Sequence, residues 1–175
     1  NPVYDNNDPS GFFQLANTEP NPVAMLNLSE LFTNSLRALG SISAEYEFFK
    51  GFKFKTVYGL DAQINQRRQA YSKLLNVTGI YNVGRAYFTD NNQTNNLWEN
   101  YFTYDKKFGD VNFNGLIGYS WQTFETVSSQ FEVSRFRTNS LNDMLYNVAS
   151  ANQAELGGVV ATNSGFTTDE LQSFY

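Results

Sequence analysis

Residues 35–49, SLRALGSISAEYEFF, alternate apolar and polar side chains for longer than a strand of a soluble domain usually runs. The even positions carry Leu36, Ala38, Gly40, Ile42, Ala44, Tyr46 and Phe48; the odd ones carry Arg37, Ser41, Ser43, Glu45 and Glu47. Residues 52–65 repeat the pattern, with Phe52, Phe54, Tyr58, Leu60, Ala62 and Ile64 on one face and Lys53, Lys55, Asp61, Gln63 and Asn65 on the other. Two further stretches, 98–108 and 111–123, do the same. A period of two sends successive side chains to opposite sides of a strand. Each stretch therefore predicts a strand with one apolar and one polar face.

The connections fix how these strands pair. A three-residue loop at Phe49-Lys50-Gly51, with Gly51 left-handed, sets Phe48 opposite Phe52, Tyr46 opposite Phe54, Ile42 opposite Tyr58 and Leu36 opposite Ile64. On the other face the same register sets Glu47 against Lys53 and Glu45 against Lys55, two complementary charge pairs. A slip of one residue would lose both patterns together. The second hairpin turns at Gly109-Asp110, with glycine first as a type II′ turn requires. Phe108 then faces Val111, Tyr104 faces Gly115, Phe102 faces Ile117 and Trp98 faces Trp121.

At the other end the connections are long and polar: 1–34, 74–96 and 136–168. The last includes NSLNDMLYNVASANQ, which predicts a short helix starting near Asn139 or Ser140. ELQSFY at 170–175 reads as the start of a fifth strand. The expected strands are therefore about 35–49, 52–65, 97–108, 111–127 and 170–175.

Short turns at one end and long loops at the other are the pattern of an outer-membrane β-barrel. From Phe108 to Trp98 the strand runs roughly 33 Å at ~3.3 Å per residue. Tilted by about 40°, it projects to roughly 25 Å, the height of a lipid-facing band between aromatic girdles. The expected lipid-facing and girdle residues are Tyr46, Phe48, Phe52, Phe54, Tyr58, Trp98, Phe102, Tyr104, Phe108, Phe113, Ile117, Tyr119 and Trp121. Asn100 and Lys106 fall on that face too; Lys106 is near the turn and can snorkel, whereas nothing in the sequence accounts for Asn100. Lysines 50, 53, 55, 106 and 107 cluster at the two turns, either beside phosphate headgroups or as ordinary protection of sheet edges. Four or five strands cannot close a barrel, and an open edge in hydrocarbon leaves backbone groups unpaired at several kcal/mol each. The fold class expected is thus an all-β, antiparallel segment of a larger transmembrane barrel.

Composition removes the common chemistries. The chain has no Cys and no His, which excludes disulfides, thiol- or imidazole-ligated metals and Ser-His-Asp or Cys-His catalysis. A net charge of −5 argues against a nucleic-acid partner. DNNDPSG at 5–11 resembles a calcium loop only superficially, because Pro9 stands where an oxygen ligand belongs. No cofactor is expected; the extracellular loops leave room for calcium, without support from the sequence. Glu45, Glu47, Asp61 and Glu99 are the carboxylates a glycosidase would need, but the first two already have lysine partners in the proposed register. Three Asn-X-Ser/Thr triplets, at Asn27, Asn76 and Asn92, arise readily in so asparagine-rich a chain. No catalytic site is expected. The opening NPVYDNNDPSGFF has none of the marks of a signal peptide and reads as a mature or internal segment.

Three stretches resemble the SusC/RagA family of TonB-dependent outer-membrane transporters: SLRALGSISAEYEFFKGFKFKTVYGLD at 35–61, preceded by Asn21-Pro22; NYFTYDKKFGDVNFNGLIGYSWQ at 100–122; and LQSFY at 171–175. The resemblance implies a piece of a 22-stranded barrel in the bacterial outer membrane, importing oligosaccharides or peptides. Its implied partners are the remainder of the same barrel, outer-membrane lipid, a SusD-like surface lipoprotein acting as a lid, and TonB, which would engage a region N-terminal to these residues. No plug or TonB box is recognisable here. The alternative is a soluble, secreted β-sandwich, a carbohydrate-binding or adhesin module using Trp98 and Trp121 as a sugar platform.

Overall fold

The computed structural model describes residues 3–15, 20–151 and 161–175, with side chains in the last segment described from 163 on. A short helix, α1 (Pro22–Asn27), precedes four long strands: β1 (Ser29–Phe49), β2 (Phe52–Tyr71), β3 (Arg85–Phe108) and β4 (Val111–Ser134). A second short helix, α2 (Leu141–Tyr146), a 3₁₀ turn at Val148–Ser150 and a fifth strand, β5 (Ala161–Phe174), follow. The strands form one five-stranded sheet in the order β1-β2-β3-β4-β5, each hydrogen-bonded to its sequence neighbour. The sandwich alternative needs two facing sheets; the described strands make one.

Both tight turns are where the sequence puts them. Gly51 has φ +87° and Gly109 φ +61°, the left-handed region that glycine enters without steric cost. Asp110 is not among the positive-φ residues, so Gly109-Asp110 has the handedness of type II′.

The strands run further than expected. β3 begins at Arg85, so the second half of the 74–96 stretch is strand rather than loop. β1 likewise starts at Ser29 and β4 continues to Ser134. ELQSFY forms the end of β5, not its start. In β3 and β5 the reason is the same: TDNNQTNN at 89–96 is polar throughout and TNSGFTTD at 162–169 nearly so, so no alternation marks them. The helix expected near Asn139 or Ser140 is α2, and Ser140 caps it, its Oγ accepting from Asp143 N. Residues 1–2, 16–19 and 152–160 of the expected loops lie outside the described residues.

The chain divides into two compact units, one of 1–34, 65–90 and 129–164, the other of 35–64, 91–128 and 165–175. The first holds the only buried hydrophobic cluster among the described residues: Ala70, Ala86, Phe88, Val133, Phe136, Met144 and Leu145. Phe88 and Phe131 stack at 4.5 Å, and Phe32 stacks on Tyr146 at 6.1 Å. Gly84 sits under Met144: a Cβ there would come within 2.9 Å of the methionine Cε, and the residue has φ +68°. Arg85 anchors the same unit, paired with Glu132 and donating to Gly79 O. Asp5 and Asp8 each accept from a backbone N–H two residues on, making DNNDPSG a run of side-chain-capped turns.

The second unit has almost no interior. Apart from Gly118 its described residues are half-buried or exposed. It is a bare wall.

The candidate functional surface: two faces of a wall

In that wall the even-numbered residues of β2 and β3 build an apolar face by ring contact. Phe52 lies 5.7 Å from Phe102 and 6.2 Å from Tyr104, and Phe54 lies 4.9 Å from Phe102. Phe48 reaches Phe52 at 5.6 Å and Tyr46 at 5.0 Å, carrying the cluster onto β1; Tyr104 reaches Phe113 at 6.1 Å, carrying it onto β4. On the far side Tyr119 touches Phe174 at 5.0 Å and donates to Gln172 Oε1. Trp121 is half-buried and donates to the Glu170 carboxylate. Lys106 lies 5.0 Å over the Phe108 ring, its ammonium at the turn end of the strand. Of the residues expected on one face, ring contacts join Tyr46, Phe48, Phe52, Phe54, Phe102, Tyr104 and Phe113 in one cluster, and Ile117 stands 67% exposed.

Asn100 gains an account that sequence reading could not supply. Trp98 Nε1 donates to Thr56 Oγ1 at 3.0 Å, and Thr56 in turn donates to Asn100 Oδ1 at 2.8 Å. Next to it Tyr58 donates to Asn96 Oδ1 at 2.8 Å, and Asn96 Nδ2 donates to Thr123 Oγ1 at 3.3 Å. These bonds span β2, β3 and β4 at the level of Trp98. A polar group on an apolar face costs less when it is hydrogen-bonded within the protein, and here the Asn100 side-chain carbonyl is. Thr56, Asn96 and Thr123 were missed because each alone looks like an ordinary strand residue; the register would have placed them beside Trp98 and Tyr58.

The opposite face is charged. Arg37 makes a two-pronged pair with Asp61, both bonds 2.8 Å. Lys53 pairs with Glu45 at 3.0 Å rather than with Glu47. Glu47 instead accepts from Gly51 N at 2.9 Å, and Lys55 lies 5.9 Å over the Tyr101 ring rather than against Glu45. The expected complementarity is on the expected face, but the partners are one step diagonal. A long lysine reaches the diagonal neighbour easily, and the turn N–H takes the nearest free carboxylate. Gly118 closes this face on the β5 side: it exchanges both backbone bonds with Tyr175, at 2.7 and 3.1 Å. A Cβ at Gly118 would meet the Tyr175 ring at 2.4 Å, so the tyrosine lies flat on the strand only because the residue is glycine.

One long antiparallel sheet, tight turns, an exposed aromatic face and a charged face define the wall of a transmembrane β-barrel. No helix among the described residues is long and apolar enough to cross a membrane. No protein-family model matches the chain. It is 32% identical over 123 residues to TonB-dependent receptor P3 of Formosa agariphila, an alignment covering 70% of this chain and 12% of that protein. Its fold matches the RagAB peptide transporter with a TM-score of 0.75 at 12% identity, covering 87% of this chain and 16% of the other. The RagAB peptide importer in its open-open state gives 0.73 at 12% identity over 88% and 16%, and the closed-closed state 0.70 at 11% over 85% and 16%. The chain is a relative of the TonB-dependent receptors with the fold of a SusC/RagA-type barrel wall, and it spans about an eighth of the curated relative's length. The sequence relative is named as a receptor and the structural neighbours as transporters.

Proposed function

We propose that these residues are part of the barrel of a TonB-dependent importer in the bacterial outer membrane, with the aromatic face in lipid and the charged face toward the transport path. The single observation that carries this reading is the sorting of side chains: rings and aliphatics on one face, ion pairs on the other, over strands of 20 and 24 residues. Bare in water, so many exposed rings would each forgo roughly 1.5–3 kcal/mol of burial. Lipid supplies that burial. The edges of β1 and β5 pair with further strands of the same barrel, since unpaired backbone is not tolerated in hydrocarbon.

Kinship with a TonB-dependent receptor supports energisation by TonB through a region N-terminal to these residues. The RagAB match, to a peptide transporter, supports peptides as cargo. A surface lipoprotein of the SusD kind over the loop end, and oligosaccharides as the other cargo, follow from the resemblance of the 35–61 and 100–122 stretches to the SusC/RagA family. On this reading Lys50-Gly51 and Gly109-Asp110 face the periplasm, and the connection between β2 and β3 faces outward. Protease added to intact cells is expected to cut within residues 72–84 or 135–151 and to spare both tight turns, as mapped by mass spectrometry of the fragments. Cleavage at the turns with the loops intact would reverse the topology.

A further inference from the structure

The loop-bearing unit contains a cavity of ≈ 540 Å³, within the range of small-ligand sites. Its lining sorts by chemistry. One wall carries Arg67, Gln69 and Tyr71, alternate residues of β2, and Tyr87 stands across from them, its ring perpendicular to that of Tyr71 at 6.3 Å. The other wall is apolar, including Val77 and Ile80. Gln69 donates to the Tyr71 hydroxyl, which holds both side chains against the β2 wall.

The charge is the informative feature. The chain has 17 acidic residues against 12 basic, yet the one formal charge among the lining residues is the Arg67 guanidinium. Arg67 makes no ion pair among the described residues, whereas Arg37 and Arg85 each have a carboxylate partner. A guanidinium presents a fork of donors that fits a carboxylate with two parallel bonds. Beside it the tyrosine hydroxyls and glutamine amides offer neutral hydrogen bonds, and the aliphatic wall offers a dry surface for a body of a few heavy atoms.

We propose that this cavity binds a carboxylate-bearing segment of the imported ligand, with Arg67 as the anion anchor and Tyr71, Tyr87, Val77 and Ile80 packing its body. The assignment rests on the importer reading for the word imported, but the binding itself does not. The carboxylate has two natural sources, the terminus or acidic side chain of a peptide and the uronic acid of a saccharide.

The test uses the full-length protein that contains this chain, purified in detergent, and four probes in titration calorimetry. These are an N-acetylated tripeptide with a free C-terminal carboxylate, the same peptide as its C-terminal amide, a disaccharide containing one uronic acid, and its neutral hexose counterpart. One acid is expected to bind about tenfold or more tighter than its neutral twin, as a charge-assisted hydrogen-bonded pair provides. Which pair shows the difference identifies the source. Arg67→Gln is expected to abolish the difference between acid and neutral twin, and Arg67→Lys, which keeps the charge but not the fork, to retain part of it. Equal binding of acid and neutral twin in both pairs, or an undiminished difference in Arg67→Gln, overturns the assignment. Uptake by cells is read separately: import that persists without any carboxylate preference removes the cavity assignment alone, and carboxylate binding by a protein that imports nothing removes the importer reading alone.

Discussion

Ile117→Arg is expected to lower the folding free energy of the barrel by about 2–4 kcal/mol, the cost of an arginine near the bilayer midplane. Ile117 is 67% exposed on the aromatic face, six residues along β4 from Val111, its first residue after the Gly109-Asp110 turn. At roughly 3.4 Å per residue and a tilt of about 40°, that places it about 15 Å above the turn, inside the hydrocarbon. Its neighbour Leu116, 55% exposed, points to the charged face. Leu116→Arg is therefore expected to change the folding free energy by less than about 1 kcal/mol, since an arginine there meets water. Urea unfolding of the full-length protein in lipid vesicles reads both, and the amount of folded protein in the outer membrane reads them in cells. The contrast between adjacent positions is the point. In a water-soluble sandwich with the aromatic face on a solvated side, both substitutions would be tolerated alike.

The second large effect lies in the loop-bearing unit. Met144 and Leu145 are 0% and 1% exposed and close the core over Ala70, Ala86, Phe88 and Val133. Removing most of a buried methionine typically costs 2–5 kcal/mol, from lost burial and the cavity left behind. Met144→Ala is expected to lower the free energy of opening this unit by about that much. Native-state proteolysis within residues 135–151 would then speed up by about thirtyfold or more, because each 1.4 kcal/mol is a factor of ten. Met144→Leu, close in volume, is expected to stay within about 1.5 kcal/mol of the parent. Equal cleavage rates in all three proteins would mean that α2 is not packed on the sheet.

What was legible in the sequence, and what was not, follows from the physics of each signal. The two hairpins were legible because Gly51 and Gly109 occupy positions that require left-handed φ, and because alternation fixes the face of every residue from 36 to 64 and from 98 to 121. The outer parts of the strands were not, because residues polar on both faces erase the period that marks a strand. The six residues of α2 are too few to show a helical repeat, although the Ser140 cap betrayed its start. Partner choice on the charged face also escaped: Lys53 takes Glu45 and not Glu47, a matter of side-chain reach that strict opposition ignores. Asn100 is a satisfied acceptor only because Thr56 and Trp98 arrive from a neighbouring strand and from two residues before it. The Arg67 cavity draws on β2, β3 and the connection between them, so no local pattern could announce it.

The central claim is that one face of this sheet meets lipid and the other meets water. It can be read residue by residue, because the chain has no cysteine of its own. Single cysteines placed in turn at positions 112 to 121 of the full-length protein, with any cysteine elsewhere replaced, are labelled in native outer membranes with a water-soluble maleimide. A period of two is expected: reaction at 112, 114, 116 and 120, with 118 covered by Tyr175, and protection at 113, 115, 117, 119 and 121 until detergent removes the lipid. Uniform labelling at every position before detergent is added would contradict it.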